Sequence, residues 1–180
     1  MKKFAIARRY AKALFIIGKK DGNFEKYLDE LLTLNEVIEK EKKLWEVLVN
    51  PLFEFDIRKK ILKEVGERLK ISDIVVKFLL LLLENNRFTF FPEIMKIYQQ
   101  MTDNELNRAR ATIYTSFKLD EKEITKIVNQ LEKRLKKEII PTIKEDPSIL
   151  GGIKAQVGGL IFDGSLKTQL ERFRQNLIKG

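Results

Sequence analysis

Along residues 1–105 the apolar positions recur every three or four residues, and the rhythm breaks only where turn-forming residues gather. Asp21-Gly22-Asn23 interrupts it first, then Asn50-Pro51, because the residue before a proline disfavours the helical region. Ser72-Asp73 offers an N-cap ahead of a leucine run, Glu84–Arg87 ends that run, and Phe91-Pro92 opens the next segment. The pattern predicts six helices, roughly 4–19, 23–40, 43–49, 54–69, 73–84 and 91–105. No repeat of about 20–50 residues is visible, which argues against a solenoid.

Past residue 105 the texture changes. RARATIYTS at 108–116 alternates and is rich in β-branched residues, as strands are. Residues 121–137 place Ile124, Ile127, Val128, Leu131 and Leu135 on one helical stripe. Ile139–Lys144 and Ile153–Phe162 read as two further strands, and 166–178 as a closing helix with Ser165 as its N-cap. The fold class is therefore mainly α, an N-terminal six-helix bundle (1–105) followed by a small α+β domain (106–180). The boundary falls in Thr102–Asn107, a polar stretch without apolar rhythm.

Composition narrows the chemistry. The 180 residues contain no cysteine and no histidine, which removes thiolate chemistry, the commonest general base and the usual zinc ligands. The longest apolar run, Phe78–Leu83, is far short of the roughly 20 residues a membrane span needs. MKKFAIARRYAKALF is basic and amphipathic but has no uninterrupted apolar core, so it does not read as a secretory signal. The net charge of +9 is uneven, +3 over residues 1–105 and +6 over 106–180. A basic balance points to acidic partners, either nucleic acid or an anionic surface, although interleaved acidic residues also fit solvated helix faces.

Five of the nine glycines fall in DPSILGGIKAQVGGLIFDGSLKTQL, residues 146–170. A Walker-type phosphate loop needs a lysine and a hydroxyl after its last glycine. Gly159 and Gly164-Ser165 have the outer spacing but no lysine follows, and Leu160–Asp163 look like a buried strand. The glycines read instead as sheet furniture: Asp146-Pro147-Ser148 and Gly151-Gly152 as turns, Gly158-Gly159 as a mid-strand bulge or a close backbone approach.

Two helices carry more apolar surface than a bundle core requires. On the first, Ile6, Tyr10, Ala13 and Ile17 form a narrow stripe beside a face of Phe4, Ala7, Ala11, Leu14, Phe15 and Gly18. The combined arc is about 200°, where packing one face needs about 100°. The segment 73–84 is apolar nearly all round, broken after Asp73 only by Lys77 and Glu84. Either it is the central helix of the bundle, or the first and fifth helices form an apolar groove for a partner's amphipathic helix.

Two other function classes are weaker. Lys133-Arg134, Lys136-Lys137, Arg172 and Arg174 would suit a basic nucleic-acid-binding protein, but no aromatic stacking platform accompanies them. For an enzyme, Glu145-Asp146 are adjacent and point apart on a strand, and Asp56, Glu64 and Glu67 suit a solvated helix face. No catalytic, metal-ligating or cofactor-binding residue is nominated.

The chain resembles the ATP synthase delta subunit family, which includes the mitochondrial oligomycin-sensitivity-conferring protein. DPSILGGIKAQVGGLIFDGSLKTQLERF resembles that family's C-terminal signature, and ARRYAKALF (7–15), Asn50-Pro51 and FLLLLLENNRFTFFPEI (78–94) match its other hallmarks in order. Gly159 departs from a position that is often acidic, and Leu166-Lys167 from one that is often valine and arginine. The resemblance implies a non-catalytic connector of the F-type proton-translocating synthase, without cofactor, on the cytoplasmic face of the bacterial membrane and held there only through the complex. It implies that the helical domain binds the N-terminal helix of an alpha subunit through Tyr10 and Ala13 of the first helix and Val76 and Leu80 of the fifth. It also implies that the second domain binds the C-terminus of the peripheral-stalk b subunit. Such a link keeps the catalytic head from turning with the rotor, so that torque drives ATP synthesis.

Overall fold

A computed structural model describes residues 2–147, 149, 151–164 and 168. The chain divides into two compact units between Thr102 and Asp103. Six helices precede the first strand: α1 (Lys2–Asp21), α2 (Phe24–Lys40), α3 (Lys42–Val49), α4 (Phe55–Arg68), α5 (Asp73–Glu84) and α6 (Phe91–Glu105), with a 3-10 turn at Phe88–Phe90. The expected ends of the fifth and sixth helices coincide with these, and the first four differ by one or two residues.

The first unit is built on helical spacing. α1 buries Ala7, Ala11, Leu14 and Gly18, while α2 buries Tyr27, Leu31, Leu34 and Ile38, each set stepping by three or four. Small residues on α1 let neighbours come close: a β-carbon at Gly18 would lie 2.8 Å from Phe24 Cα and 3.0 Å from the Tyr98 hydroxyl. That hydroxyl donates to the Phe24 carbonyl at 3.0 Å, so α6 holds the start of α2. Gly66 does the same for α4 against Val76 of α5, whose Cγ2 would meet a β-carbon at 3.0 Å. α5 supplies Val75, Phe78, Leu79, Leu82 and Leu83 to the core. Each such side chain contributes about 1.5–3 kcal/mol on burial.

Ser72 does stand at the N-cap of α5, but its side chain makes no cap bond. Glu30 of α2 ties Ser72 down instead, its Oε2 accepting from Ser72 N–H at 3.1 Å and from Ser72 Oγ–H at 2.7 Å. A carboxylate at a helix N-terminus also meets the positive end of the helix dipole.

The second unit is a four-stranded sheet in the order β2-β1-β3-β4, with β1 Arg108–Thr115, β2 Glu138–Glu145, β3 Ile153–Val157 and β4 Leu160–Asp163. β1 and β2 are parallel, joined by α7 (Glu121–Leu135), and the other pairs are antiparallel. α7 opens on a capping box between Asp120 and Glu123. Its stripe packs as the periodicity predicts: Leu131 is buried, and Ile124, Ile127, Val128 and Leu135 pack partly buried against Ala111, Ile113, Ile139, Ala155 and Val157.

One expectation changes. Ile153–Phe162 is not one bulged strand but a hairpin, with Val157 paired to Leu160 and Gly158-Gly159 as its two-residue turn. Gly158 has φ +58°, a conformation glycine adopts without steric cost. The division between the units falls within the polar stretch 102–107, where α6 runs through Glu105 and Asp103 is buried beneath the Arg110 guanidinium. Arg110 donates from Nε at 2.7 Å and Nη2 at 3.2 Å, a two-pronged ion pair within the second unit. Apart from Thr168, the closing helix at 166–178, with the Ser165 cap, Arg172 and Arg174, lies outside the described residues.

Candidate partner-binding face

The two faces read on α1 separate cleanly. Ala7, Ala11, Leu14 and Gly18 go into the core, whereas Ala13, Ile16 (54% exposed) and Ile17 (46%) stay in solvent and Ile6 and Tyr10 are half-buried. Phe4, grouped with the core side by its spacing, is 59% exposed. An apolar stripe of Ile6, Tyr10, Ala13 and Ile17 therefore lies beside the core contact and is not consumed by it.

Tyr10 fixes which side of α5 this stripe adjoins. Its ring meets Phe78 edge-on, with centroids 6.5 Å apart. At 3.6 residues per turn, Ile74 and Leu81 lie within about 60° of Phe78, whereas Val76 and Leu80 lie about 160° away. Ile74 is 36% exposed and Leu81 46% exposed. Val76 is half-buried with its Cγ2 toward Gly66 of α4, and Leu80 is half-buried one turn further along that row. Of the four residues expected to face a partner, the structure thus brings Tyr10 and Ala13 into one apolar face. Val76 and Leu80 sit on a different side of α5, and Ile74 and Leu81 continue the face instead. Sequence alone gives no way to choose, because a helix apolar nearly all round has no polar flank to mark its buried side. α5 buries Val75, Phe78, Leu79, Leu82 and Leu83 in the core and still leaves Ile74 and Leu81 exposed.

The chemistry of this face is desolvation without catalysis. It consists of apolar side chains, one tyrosine and a border of cations, among them Arg9, whose Cζ lies 5.7 Å from the centre of the Tyr10 ring. Among the described residues no group of histidine, cysteine or acidic side chains is arranged to hold a metal ion. Asp56, Glu64 and Glu67 are exposed on α4, as a solvated face would be. No helix among the described residues is long and apolar enough to cross a membrane.

A second apolar patch sits where α3 joins α4, with Leu52 89%, Phe53 40% and Ile57 48% exposed. An open cleft of about 530 Å³ adjoins it, lined by Val47, Val49 and Phe53 among others. In the second unit a cleft of about 520 Å³ lies between α7 and the β3–β4 hairpin, where Arg134 Cζ sits 5.0 Å over the Phe162 ring. Lys133 and Arg134 occupy the last turn of α7, where cations complement the helix dipole, so a basic cluster there has a structural reason.

Comparison with known proteins shows the family. The family model described as ATP synthase delta (OSCP) subunit matches residues 6–177. "ATP synthase subunit delta" of Desulfosudis oleivorans is 38% identical over 180 residues, covering 100% of this chain and 98% of that protein. The Geotalea uraniireducens protein of the same name is 38% identical over 176 residues, covering 98% of each. A chain in the cryo-EM structure of the Toxoplasma gondii mitochondrial ATP synthase hexamer shares the fold with a TM-score of 0.77 at 20% identity, covering 96% of this chain and 97% of that one. Nucleic-acid binding finds no support in these matches. With the family model covering nearly the whole length, this chain belongs to the ATP synthase delta (OSCP) subunit family.

Proposed function

We propose that this chain, a non-catalytic structural subunit of an ATP synthase, is the connector between the catalytic head and the peripheral stalk. In this reading the first unit receives the N-terminal helix of an alpha subunit, and the second unit receives the C-terminal end of the b subunit. The complex holds the protein at the cytoplasmic face of the membrane. A link at both ends resists the torque of the rotor, and that resistance is what makes rotation useful for synthesis.

The observation that carries the alpha-subunit half is the continuous apolar face of Tyr10, Ala13 and Ile17 on α1 with Ile74 and Leu81 on α5, left exposed beside a complete core. An amphipathic helix laid on such a face buries both apolar surfaces at once. The b-subunit half rests on the family resemblance, with the exposed Leu160 and Ile161 of β4 as apolar surface in that unit.

The test is calorimetry of an alpha-subunit N-terminal peptide against the whole chain and its variants. Ala13 is exposed, so Ala13→Trp adds a ring to the face without entering the core. It should weaken binding about tenfold or more while the circular dichroism stays native, since misfit in a packed contact costs about 1–3 kcal/mol. Unchanged affinity would remove α1 from the interface.

A further inference from the structure

The apolar stripe on α1 is bordered by cations alone on one side only; on the other, the exposed Lys3 and Asp21, of opposite sign, lie about 50° from its centre. At 100° per residue, Arg9, Ala13, Ile16 and Lys20 fall on one axial row, and Arg9 and Lys20 lie about 50–70° from the centre of the stripe formed by Ile6, Tyr10, Ala13 and Ile17. Arg8 and Lys12 lie about 130–170° from that centre, on the far side of the helix. Arg9 and Lys20 have no ion-pair partner among the described residues, and the Arg9 guanidinium stays near the rim by resting against the Tyr10 ring at 5.7 Å. On the α5 side the exposed charges are Asp73, Lys77 and Glu84, two acids and one base, which favour neither sign strongly.

We propose that Arg9 and Lys20 are specificity determinants: the face selects an amphipathic helix that carries carboxylates on one flank only, about three turns apart. Eleven residues separate the two cations, which is about 16 Å along α1. A helix lying beside α1 meets both only if its own acids repeat at that distance. This deepens the alpha-subunit reading and rests on it. The apolar stripe supplies contact area, and the two cations set which flank faces α1 and disfavour helices with a basic or neutral border.

The probe is a synthetic peptide of the N-terminal segment of the alpha subunit from the same synthase, titrated into the full chain. Arg9→Gln with Lys20→Gln should weaken binding roughly threefold to tenfold at about 0.05 M salt, and the difference should shrink at about 0.5 M as screening grows. Arg8→Gln with Lys12→Gln makes the same change in net charge and should leave the affinity within about twofold. Replacing the peptide's flank carboxylates by amides should reproduce the loss seen with Arg9→Gln and Lys20→Gln. Equal effects from the two double variants, or none from either, overturn the proposal, as does a bound peptide without flank acids. If Ala13→Trp still weakens binding in those cases, only the charge selection falls. If Ala13→Trp has no effect either, the docking face and the selection fall together.

Discussion

The carboxylate of Glu30 in α2 holds Ser72, the residue ahead of α5: one oxygen receives both the Ser72 N–H (3.1 Å) and its hydroxyl (2.7 Å). The two residues are 42 apart in sequence, so a tertiary contact anchors the start of α5 that the local sequence already marks. Glu30 is 9% exposed, and Lys26 Nζ lies 3.9 Å from its other oxygen. Glu30→Ala should therefore lower the stability of the first unit by about 1–3 kcal/mol, the cost of leaving part-buried donors without an acceptor. Ser72→Ala keeps the backbone bond and should cost less, about 0.5–1.5 kcal/mol. Urea midpoints of the two variants measure the difference, and a larger loss from Ser72→Ala would contradict it.

Gly18 tests how tightly α1 and α2 are drawn together. On propensity alone Gly18→Ala should stabilise the helix by about 1 kcal/mol. The added methyl would sit 2.8 Å from backbone Cα of Phe24, which cannot turn aside as a side-chain tip would. Overpacking of that kind costs about 1–3 kcal/mol, so the net effect should be a lower melting temperature.

Much of this architecture was legible in the sequence, and the parts that were not share a cause. Periodicity located every helix of the first unit, because an apolar residue every three or four positions and a proline or glycine break are local signals. It also chose the correct five residues of α7. It took Gly158-Gly159 as lying within one strand, because apolar residues resume directly after the two glycines and only strand pairing reveals the reversal. The family's frequent acidic residue at 159 needs no compensation here, since a β-carbon at Gly159 would meet nothing within 4 Å. Which side of α5 adjoins the α1 stripe was not legible for a similar reason. α1 has a polar flank that frames its stripe, whereas α5 has almost none, and its orientation is set by Gly66 and Tyr10, residues of other helices.

Alkaline pH should weaken the first unit in a defined window. Burial, together with the hydrogen bond to Asp21, pushes the Tyr27 hydroxyl up to about 12. In the unfolded chain a tyrosine ionises near about 10. The folded state therefore holds the proton more tightly, and the stabilisation is whole below about pH 10 and is lost as pH rises through about 12. Urea midpoints should fall across that window, and the fall should be shallower in Tyr27→Phe. Tyr98, also pushed up by burial, leaves a residual slope. An identical slope in Tyr27→Phe would contradict the assignment.

A fragment of residues 1–105 keeps all six helices before β1. It should unfold cooperatively on its own, bind the alpha-subunit peptide as the full chain does and lose affinity for a peptide from the C-terminal end of the b subunit. Calorimetry with both peptides on fragment and full chain checks the division of roles, and retained binding of the stalk peptide would contradict it.

The central claim is that one apolar face, shared by α1 and α5, is where the head is held. The most direct measurement is a backbone amide NMR titration of the full chain with the alpha-subunit N-terminal peptide. The expected shifts concentrate on Tyr10, Ala13 and Ile17 of α1 and on Ile74 and Leu81 of α5. Shifts centred instead on Leu52, Phe53 and Ile57, the other exposed apolar patch of the first unit, would contradict it.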